Sequence, residues 1–527
     1  MDRRAIAAAL LVAALAVPAA GQDRPSEEDL FGAPVQPPAK PEPSRAAPEG
    51  APRPEEGQLF GAPPAAQAAP PPPQGVVSRE REDALRIGGQ LYLRAAATAF
   101  QGAEPGNFAL ASPNLLDVYL DARPNDRVRG FVLGRLSYDP TLLPAGAAAL
   151  AGGTVLGTGT FFGRSAANPR GVLDQLWVNF DVGRRAFVTA GRQHAKWGVG
   201  RFWNPTDYLH PVKRDPLAVF DARTGTTMLK VHVPWEQRGW NLYGVAVLED
   251  VAGDLPRRAD GSADGTNRLG RVGAGGRAEI VLGTVELGAD ALAQDGHRPR
   301  FGVDVSAGVF DVDVYAEAAL RTSVDTPRWR AVPGADPAAP LLSRYERRDP
   351  TGPLPQVTAG WSWSVKYSDE DAVTFGGEYF YDRSGYENAR IYPVLLGVAA
   401  VAPLDLGTTN PLAGQPNPFT PFYLGRHYAG AFVSLPRPGR WNDTTFTLSV
   451  LGNISDESFV ARLDHSVLAL TYLRVETYFA GHFGSREGEF RLGFDLPQQA
   501  VGGGLPAFGF STDPMVFEAG VALRVSL

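Results

Sequence analysis

Apolar and polar residues alternate with a period of two along most of the chain, from residue 85 to its end at residue 527. The segment 312–321 shows this alternation. Its apolar positions are Val312, Val314, Ala316, Ala318 and Leu320, and its polar positions are Asp313, Tyr315, Glu317 and Arg321. A period of two is typical of a β-strand with one apolar and one polar face. We found no segment with helical periodicity of comparable quality, so the pattern predicts an all-β fold.

The alternating runs predict about eighteen strands, and sixteen is the alternative number. The boundaries carry a tolerance of a few residues. The predicted strands cover residues 87–98, 115–123, 127–138, 172–182, 185–193, 226–234, 240–248, 271–282, 284–293, 301–309, 312–323, 356–367, 372–381, 426–435, 444–453, 458–468, 473–483 and 516–527.

The connections between these strands alternate between short turns and long loops, except that two connections on the long-loop side, 294–300 and 454–457, are brief. Antiparallel strands therefore place the short turns at one end of the sheet and the long loops at the other. Inside a membrane every backbone N–H and C=O group must find a partner within the protein, and a closed antiparallel barrel achieves this without leaving an edge. The pattern predicts a transmembrane antiparallel β-barrel over residues 85–527, with short periplasmic turns and long outer loops. The predicted long loops are residues 139–171, 194–225, 249–270, 324–355, 382–425 and 484–515.

The first 21 residues have the features of a secretory signal peptide. Arg3 and Arg4 precede an apolar core, Ala5–Val17, and small residues at Ala19–Gly21 precede a cleavage site before Gln22. The apolar core is shorter than the roughly 20 residues that a transmembrane helix needs. We therefore expect export across the inner membrane and a final location in a bacterial outer membrane.

Residues 22–75 are rich in proline and alanine, and we expect a disordered periplasmic tether. An acidic element followed by Leu-Phe-Gly-Ala-Pro occurs at Glu27–Pro34 and again at Glu55–Pro63. Two weak docking peptides on one flexible segment would gain affinity through effective concentration, which suggests a periplasmic protein partner. A recent duplication within low-complexity sequence is the alternative. The candidate docking residues are Leu30, Phe31, Leu59 and Phe60.

Composition narrows the functional classes. The net charge is −7, which argues against nucleic-acid binding, and the absence of cysteine excludes disulfides and Cys-ligated metal sites. No nucleophile motif or phosphate-binding loop occurs in the predicted barrel, so we expect no enzyme and no cofactor. His194 and His210 flank one conspicuous loop motif, but two histidines without a carboxylate pattern are a weak metal signal, and we predict no metal site.

If the apolar face of the barrel meets lipid, the polar face lines a lumen, and strand parity assigns charges to it. The first three strands and strands nine to eleven would lie opposite one another in a ring of eighteen. A basic wall facing an acidic wall would orient polar solutes; ordinary solvated side chains without selectivity are the alternative. The predicted lumen residues are Arg94, Arg123, Arg129 and Arg135 on one side, and Glu286, Asp290, Asp304, Asp313 and Glu317 on the other.

The loop 194–225 is the predicted constriction. Asn204–Asp207 has the residues of a helix start, with Asn as the N-cap, Pro at the first helical position and an acid at the third. Trp197, Phe202 and Trp203 provide apolar anchors for a loop folded into the lumen, and an outward-standing loop is the alternative. Two further loops, 142–162 and 391–406, are unusually apolar, which favours lids over the barrel mouth or contact with a hydrophobic solute.

Residues 85–527 resemble a bacterial outer-membrane β-barrel of the general porin type. The segment Gly191–Pro211 is similar to one found in uncharacterised porin-like barrels, although the chain ends in Leu527 where such barrels typically end in an aromatic residue. The resemblance implies contact with outer-membrane lipid, passive diffusion of small polar solutes and the option of homo-oligomerisation. A dedicated exporter or importer, such as a polysaccharide-export barrel with a periplasmic partner, and an occluded structural barrel are the alternatives.

Overall fold

The computed structural model describes residues 84–141, 168–210, 213–221, 223–249, 269–294, 297–324, 326–368, 371–401, 418–499 and 508–526. The predicted signal peptide, the predicted tether and the apolar loop 142–162 lie outside the described residues.

Eighteen long strands form the wall of the molecule. In chain order they are β1 (Leu85–Phe100), β2 (Asn114–Asn125), β3 (Val128–Tyr138), β4 (Arg170–Val182), β5 (Ala186–Gln193), β6 (Thr226–Trp235), β7 (Trp240–Val247), β8 (Gly273–Leu282), β9 (Val285–Ala293), β10 (Arg300–Val309), β11 (Val312–Arg321), β12 (Leu354–Lys366), β13 (Ala372–Asp382), β14 (His427–Pro436), β15 (Thr444–Asn453), β16 (Ser458–Leu470), β17 (Leu473–Gly484) and β18 (Met515–Ser526).

The sheet is closed. Each strand pairs antiparallel with the next, and β1 pairs with both β2 and β18. The closing seam aligns Gln90 with Ser526 and Thr98 with Glu518. The predicted antiparallel barrel of eighteen strands is confirmed, and each predicted strand boundary lies within two residues of the observed one.

The two faces of the wall differ in polarity. On β2, Leu116, Val118 and Leu120 are exposed on the outside, whereas Asp117 and Asp121 are buried on the inside. Exposed leucine, valine and phenylalanine side chains continue around the outer face of the other strands. An apolar band around a closed barrel is the surface that a lipid bilayer requires. Exposed aromatic residues near the short turns match the interfacial girdle of such barrels, and these are Trp235, Phe310, Trp363, Trp441 and Tyr472.

Smaller elements lie in the loops at the end opposite the short turns. These are the short strands Ala109–Ala111, Trp329–Ala331, Tyr345–Arg347, Asp495–Gln499 and Phe508–Ser511, the helices α1 (Leu341–Arg344) and α2 (Tyr392–Val401), and 3-10 turns at Pro105–Asn107, Leu269–Arg271 and Ala389–Ile391. A further 3-10 turn, Glu236–Arg238, lies at the short-turn end. Among the described residues, no helix has the length and apolar character needed to cross a membrane.

Helix α2 was not expected from the sequence. Its residues are apolar around the whole circumference, so they carry no helical period to detect. The helix belongs to the loop 391–406 that we predicted as a lid, of which residues 402–406 lie outside the described part. Leu395 of α2 is fully buried, in one cluster with Leu424 of the same β13–β14 connection and with Leu492 and Phe494 of the loop between β17 and β18. The buried apolar side chains of α2 are therefore covered by neighbouring loop segments.

Candidate constriction site

The loop between β5 and β6 is residues 194–225, and we call it the inner loop. Its described parts, 194–210, 213–221 and 223–225, lie inside the barrel. The ring of Phe220 meets the ring of Tyr92 on β1 edge-on, with centroids 5.1 Å apart. The backbone N–H of Val199 donates to Glu317 on β11 at 2.9 Å. Because β1 and β11 lie almost opposite each other in a ring of eighteen strands, the inner loop extends across the lumen. The prediction that this loop folds inward is confirmed.

The carboxylate of Glu317, which points inward from β11, accepts three backbone hydrogen bonds from the inner loop. Its Oε2 atom accepts from the N–H groups of Val199 and Gly200, each at 2.9 Å. Its Oε1 atom accepts from the N–H of Thr206 at 2.6 Å. Because Glu317 is buried, each of these bonds replaces a lost hydration contact.

The carboxylate of Glu378 on β13 holds the next three residues of the loop. Its Oε2 atom accepts from the N–H of Arg201 at 2.7 Å, and Oε1 accepts from Phe202 at 3.0 Å and Trp203 at 2.7 Å. The hydroxyl of Tyr315 donates to Oε2 at 2.6 Å. Five successive backbone N–H groups, residues 199–203, thus bind two carboxylates of the barrel wall.

Two glycines make this wrapping possible. Gly198 has a φ of +87°, which favours glycine over residues with a Cβ atom. A Cβ atom at Gly198 would lie well inside van der Waals contact with Glu317 and with two side chains of the loop. A Cβ atom at Gly200 would collide with the carbonyl group of Trp203. Both glycines therefore allow the backbone to approach the wall carboxylates closely.

The predicted helix start at Asn204–Asp207 is wrong, because these residues form a turn. The N–H of Thr206, which a helical N-cap would bind, donates instead to Glu317. The carboxylate of Asp207 accepts from Nδ1 of His210 at 2.9 Å and from Arg223 at 2.7 Å. The wall and the loop side chains together supply the partners that a helix would otherwise provide.

Aromatic residues fill the contact between the loop and the wall. Trp203 is fully buried, stacks on Phe380 of β13 with ring centroids 5.9 Å apart, and donates from Nε1 to the carbonyl of Phe422 at 3.0 Å. The guanidinium carbon of Arg201 lies 3.5 Å from the ring centroid of Phe432 on β14. The three aromatic anchors proposed from the sequence, Trp197, Phe202 and Trp203, are all buried.

The root of the inner loop contains the two histidines that flank the loop motif. His194 Nε2 lies 2.9 Å from Asp174 Oδ1 on β4, and His194 Nδ1 lies 3.3 Å from His210 Nε2. Burial opposes ionisation of Asp207, but His210 and Arg223 beside it hold the pKa of that carboxyl well below its usual range. Within the part of the chain that the structure describes, no three His, Asp or Glu side chains are arranged so that they could hold a metal ion.

Two adjoining clefts border the inner loop, and Lys213 and Tyr423 line both. Cationic side chains dominate their walls, whereas one aspartate lines each cleft. The first cleft is lined by Lys196, Arg201, Lys213, Arg214 and Arg223 with Asp207; the second is lined by Lys213, Arg321 and Arg328 with Asp382.

The basic residues predicted for the lumen lie on or near the inner face of β1 to β3, and each forms an ion pair with a carboxylate. Because the carboxylates compensate the arginine charges, the electrostatic field at this wall is weaker than it would be if the arginines had no ion-pair partners. The pairs are Arg94–Glu518, Arg123–Asp121, Arg129–Asp121, Arg135–Asp117 and Arg135–Asp174.

The predicted acidic residues divide between different partners. Asp290 and Asp304 both pair with Arg277 on β8, at 3.0 and 2.6 Å. Glu317 binds the inner loop. Strand alternation places Glu286 and Asp313 on the inner face as well.

The residues of this site that sequence reasoning missed include three of the barrel wall: Glu378, Tyr315 and Asp174. Strand parity could have placed all three on the inner face, since each lies in a predicted strand. No local pattern indicated that the partners of Glu378 are backbone groups about 175 residues earlier in the chain.

No family model matches the chain, and no curated protein sequence matches it. Solved structures of similar shape include Acinetobacter baumannii OccAB3, with 9% identity, a TM-score of 0.46, and coverage of 84% of this chain and 99% of that one. Pseudomonas putida OprB has 8% identity and a TM-score of 0.43, over 84% of this chain and 94% of that one. A Rhodopseudomonas blastica porin mutant has 9% identity and a TM-score of 0.35, over 84% and 100% of the two chains. At this level of similarity, function has to be argued from the residues of the chain itself.

Proposed function

We propose that this protein is an outer-membrane channel for the passive diffusion of small polar solutes, with the inner loop as its constriction. The observation that carries the proposal is the fixed position of the loop across the lumen, where Glu317 and Glu378 bind its backbone. A closed barrel with an apolar outer face provides the pathway through the bilayer, and an ordered loop limits the size of what can pass.

The charges beside the loop favour anionic solutes. Seven cationic and two anionic side chains line the two clefts that Lys213 and Tyr423 join. A narrow, low-dielectric passage of one dominant charge raises the local concentration of counter-ions. Small polar solutes with a negative charge are therefore the class we expect to pass fastest.

Planar-bilayer recording of the purified protein tests this proposal. We expect steady conductance of the mature chain and the same conductance when residues 22–75 are deleted. Silence in both forms would contradict a passive channel and favour an occluded barrel. Conductance that depends on a periplasmic protein would favour the exporter or importer.

The proposed location depends on the N-terminal sequence. Arg3, Arg4 and the apolar core Ala5–Val17 support export with cleavage before Gln22. N-terminal sequencing of protein from fractionated outer membranes should begin at Gln22. Retention of residues 1–21 or recovery in the inner membrane would refute this assignment.

The repeated Leu-Phe-Gly-Ala-Pro element supports a second proposal, that the segment 22–75 docks a periplasmic protein. A peptide spanning Glu55–Pro63 should capture a specific partner from periplasmic extract, and a Leu59→Ala, Phe60→Ala peptide should not. Equal capture by both peptides would mean that Leu59 and Phe60 do not form a docking motif.

A further inference from the structure

Four side chains at the root of the inner loop form one continuous hydrogen-bonded chain. Asp174 Oδ1 lies 2.9 Å from His194 Nε2, His194 Nδ1 lies 3.3 Å from His210 Nε2, and His210 Nδ1 lies 2.9 Å from Asp207 Oδ1. His194 directly follows β5, and Asp174 belongs to the adjacent strand β4. The chain therefore fastens the inner loop both to itself and to the wall.

The number of hydrogens in this chain can be deduced from its contacts. Three hydrogen bonds need three bridging hydrogens, whereas two ionised carboxylates and two neutral imidazoles carry only two. If both neutral rings donate to their aspartates, the facing nitrogens of His194 and His210 present lone pairs to each other. One additional proton satisfies all three contacts.

The surroundings of the two aspartates place that proton on the imidazoles. Asp207 also accepts from Arg223 at 2.7 Å, and its pKa lies well below the usual range, so it remains ionised. Asp174 also faces Arg135 at 3.3 Å and accepts from the N–H of Gly225 at 3.0 Å. Both carboxylates therefore act as hydrogen-bond acceptors, and the additional proton belongs to the imidazoles.

We propose that His194 and His210 form a proton-binding site that holds one proton more than two neutral rings, and that this shared proton clasps the inner loop to the barrel wall. The site is accessible from the lumen through His194, whose side chain is 29% exposed, whereas that of His210 is 2% exposed.

Charges of both signs surround the histidine pair, but the groups that bind its two outer nitrogens are carboxylates. The acidic groups are Asp174 of β4, Asp117 of β2, which pairs with Arg135, and Asp207 and Asp221 of the inner loop. The basic groups are Arg135 of β3, Arg223 of the inner loop, and Lys196, Lys213 and Arg214, which line the same cleft as Asp207. The two carboxylates that contact the pair directly are Asp174 and Asp207, and each stabilises a positive charge on the imidazole that it binds.

The clasp should work in a limited pH range. Loss of the shared proton at alkaline pH would bring two lone pairs together, and a further proton at acid pH would bring two N–H groups together. Either change removes the bond between His194 and His210, so the loop root should be most tightly held between these extremes.

Solid-state NMR of the full-length protein in bilayers, labelled with 15N-histidine, tests the protonation. At pH 7.5 about nine in ten free imidazoles are neutral, since their ordinary pKa is about 6.5. We expect an imidazolium signal with the intensity of one ring among the seven histidines. The signal should be absent from His194→Gln and also from His210→Gln. It should persist in His232→Gln, a control on the inner face of β6 that hydrogen-bonds Asn241 at 3.2 Å. A heat-modifiable shift on gels verifies that each variant is folded.

Only neutral rings at pH 7.5, or a signal that survives either loop substitution, would overturn the proton-binding site. The clasp itself is tested by current fluctuations in bilayers between pH 5 and 9.5. Fluctuations of the wild type should be smallest near neutral pH, and those of His210→Gln should be several-fold larger and independent of pH. A pH-independent wild type would overturn the clasp. The NMR measurement needs no conducting channel, so it stands or falls separately from the proposed function.

Discussion

Single carboxylates decide where the inner loop lies. Glu317 and Glu378 are buried in the wall and take their hydrogen bonds from backbone N–H groups. A hydrogen bond to a charged acceptor contributes about 1.5–3 kcal/mol, more than a neutral one. The position of a 32-residue loop therefore depends strongly on two side chains of the wall.

Replacing Glu378 by glutamine should release the middle of the inner loop. The amide retains one acceptor oxygen, but its NH2 group would face the N–H of a loop residue, and we expect a cost of about 3 kcal/mol. Single-channel recording should show a larger and noisier conductance. The matched control is Glu476→Gln on β17, which removes a carboxylate paired with Arg524 at 2.7 Å. An equal effect of the two substitutions would count against the role of Glu378.

Replacing Gly198 by alanine should displace the loop by a different route. The added Cβ atom would meet Glu317, Asn204 and Thr206, in addition to the strain of a positive φ. Gly183→Ala is the matched control, because Gly183 has a φ of +63° in a turn with open space around its Cβ position. We expect about 1 kcal/mol of destabilisation in the control and a clearly larger loss in Gly198→Ala, measured by thermal unfolding in detergent. Identical losses would show that only the backbone conformation matters.

At the level of elements, strands and loops differ in how far the sequence predicts them. A strand of the wall shows its two environments in its own residues, as Asp117 and Leu116 do, so alternation alone located all eighteen strands. The turn at Asn204–Asp207 was predicted as a helix because local rules cannot include Glu317, which lies more than a hundred residues away. Helix α2 was missed because apolar residues surround it completely.

A buried acidic cluster joins several of these loop elements at the outer end. Asn453 Nδ2 donates to both Asp456 Oδ2 and Glu489 Oε2 at 2.8 Å. The hydroxyl of Tyr392 on α2 donates to Asp456 at 3.0 Å, and that of Tyr428 donates to Glu489 at 2.6 Å. Burial and the neighbouring Asp456 raise the pKa of Glu489 to about 8.

This cluster should make the packing of α2 dependent on pH. Because the closed loops raise the pKa of Glu489, binding of a proton to Glu489 stabilises the closed loops. This stabilisation is complete below the ordinary pKa of a glutamate and is lost as the pH rises toward about 8. Hydrogen exchange in residues 386–401, corrected for intrinsic rates, should show opening that increases about tenfold per pH unit and levels off above about pH 8. Glu489→Gln should abolish the dependence, and Glu387→Gln, at an exposed partner of Arg426, should preserve it. A pH-dependent Glu489→Gln variant would refute this assignment.

For the whole molecule, the sequence predicts the barrel better than the contents of its lumen. Closure requires only that each strand pair with its neighbours, and the alternation already contains that information. The lumen brings together side chains from strands far apart in the sequence, such as Arg94 with Glu518 and Arg94 with Tyr478. The alternation along each strand predicts that such residues face the lumen, but it does not predict which of them form ion pairs with each other.

The excess of cationic side chains in the lining of the two clefts leads to a prediction about selectivity. Lys213 lines both clefts, where cations outnumber carboxylates. Replacing Lys213 by glutamine should lower the chloride-to-potassium permeability ratio by roughly twofold, because a charge in a narrow passage acts on every passing ion. Arg127→Gln is the control, since Arg127 lies at a short turn and pairs with Asp181 at 2.9 Å outside the narrow region. Reversal potentials under a salt gradient measure the ratio. An unchanged ratio in Lys213→Gln would mean that ions do not pass beside Lys213.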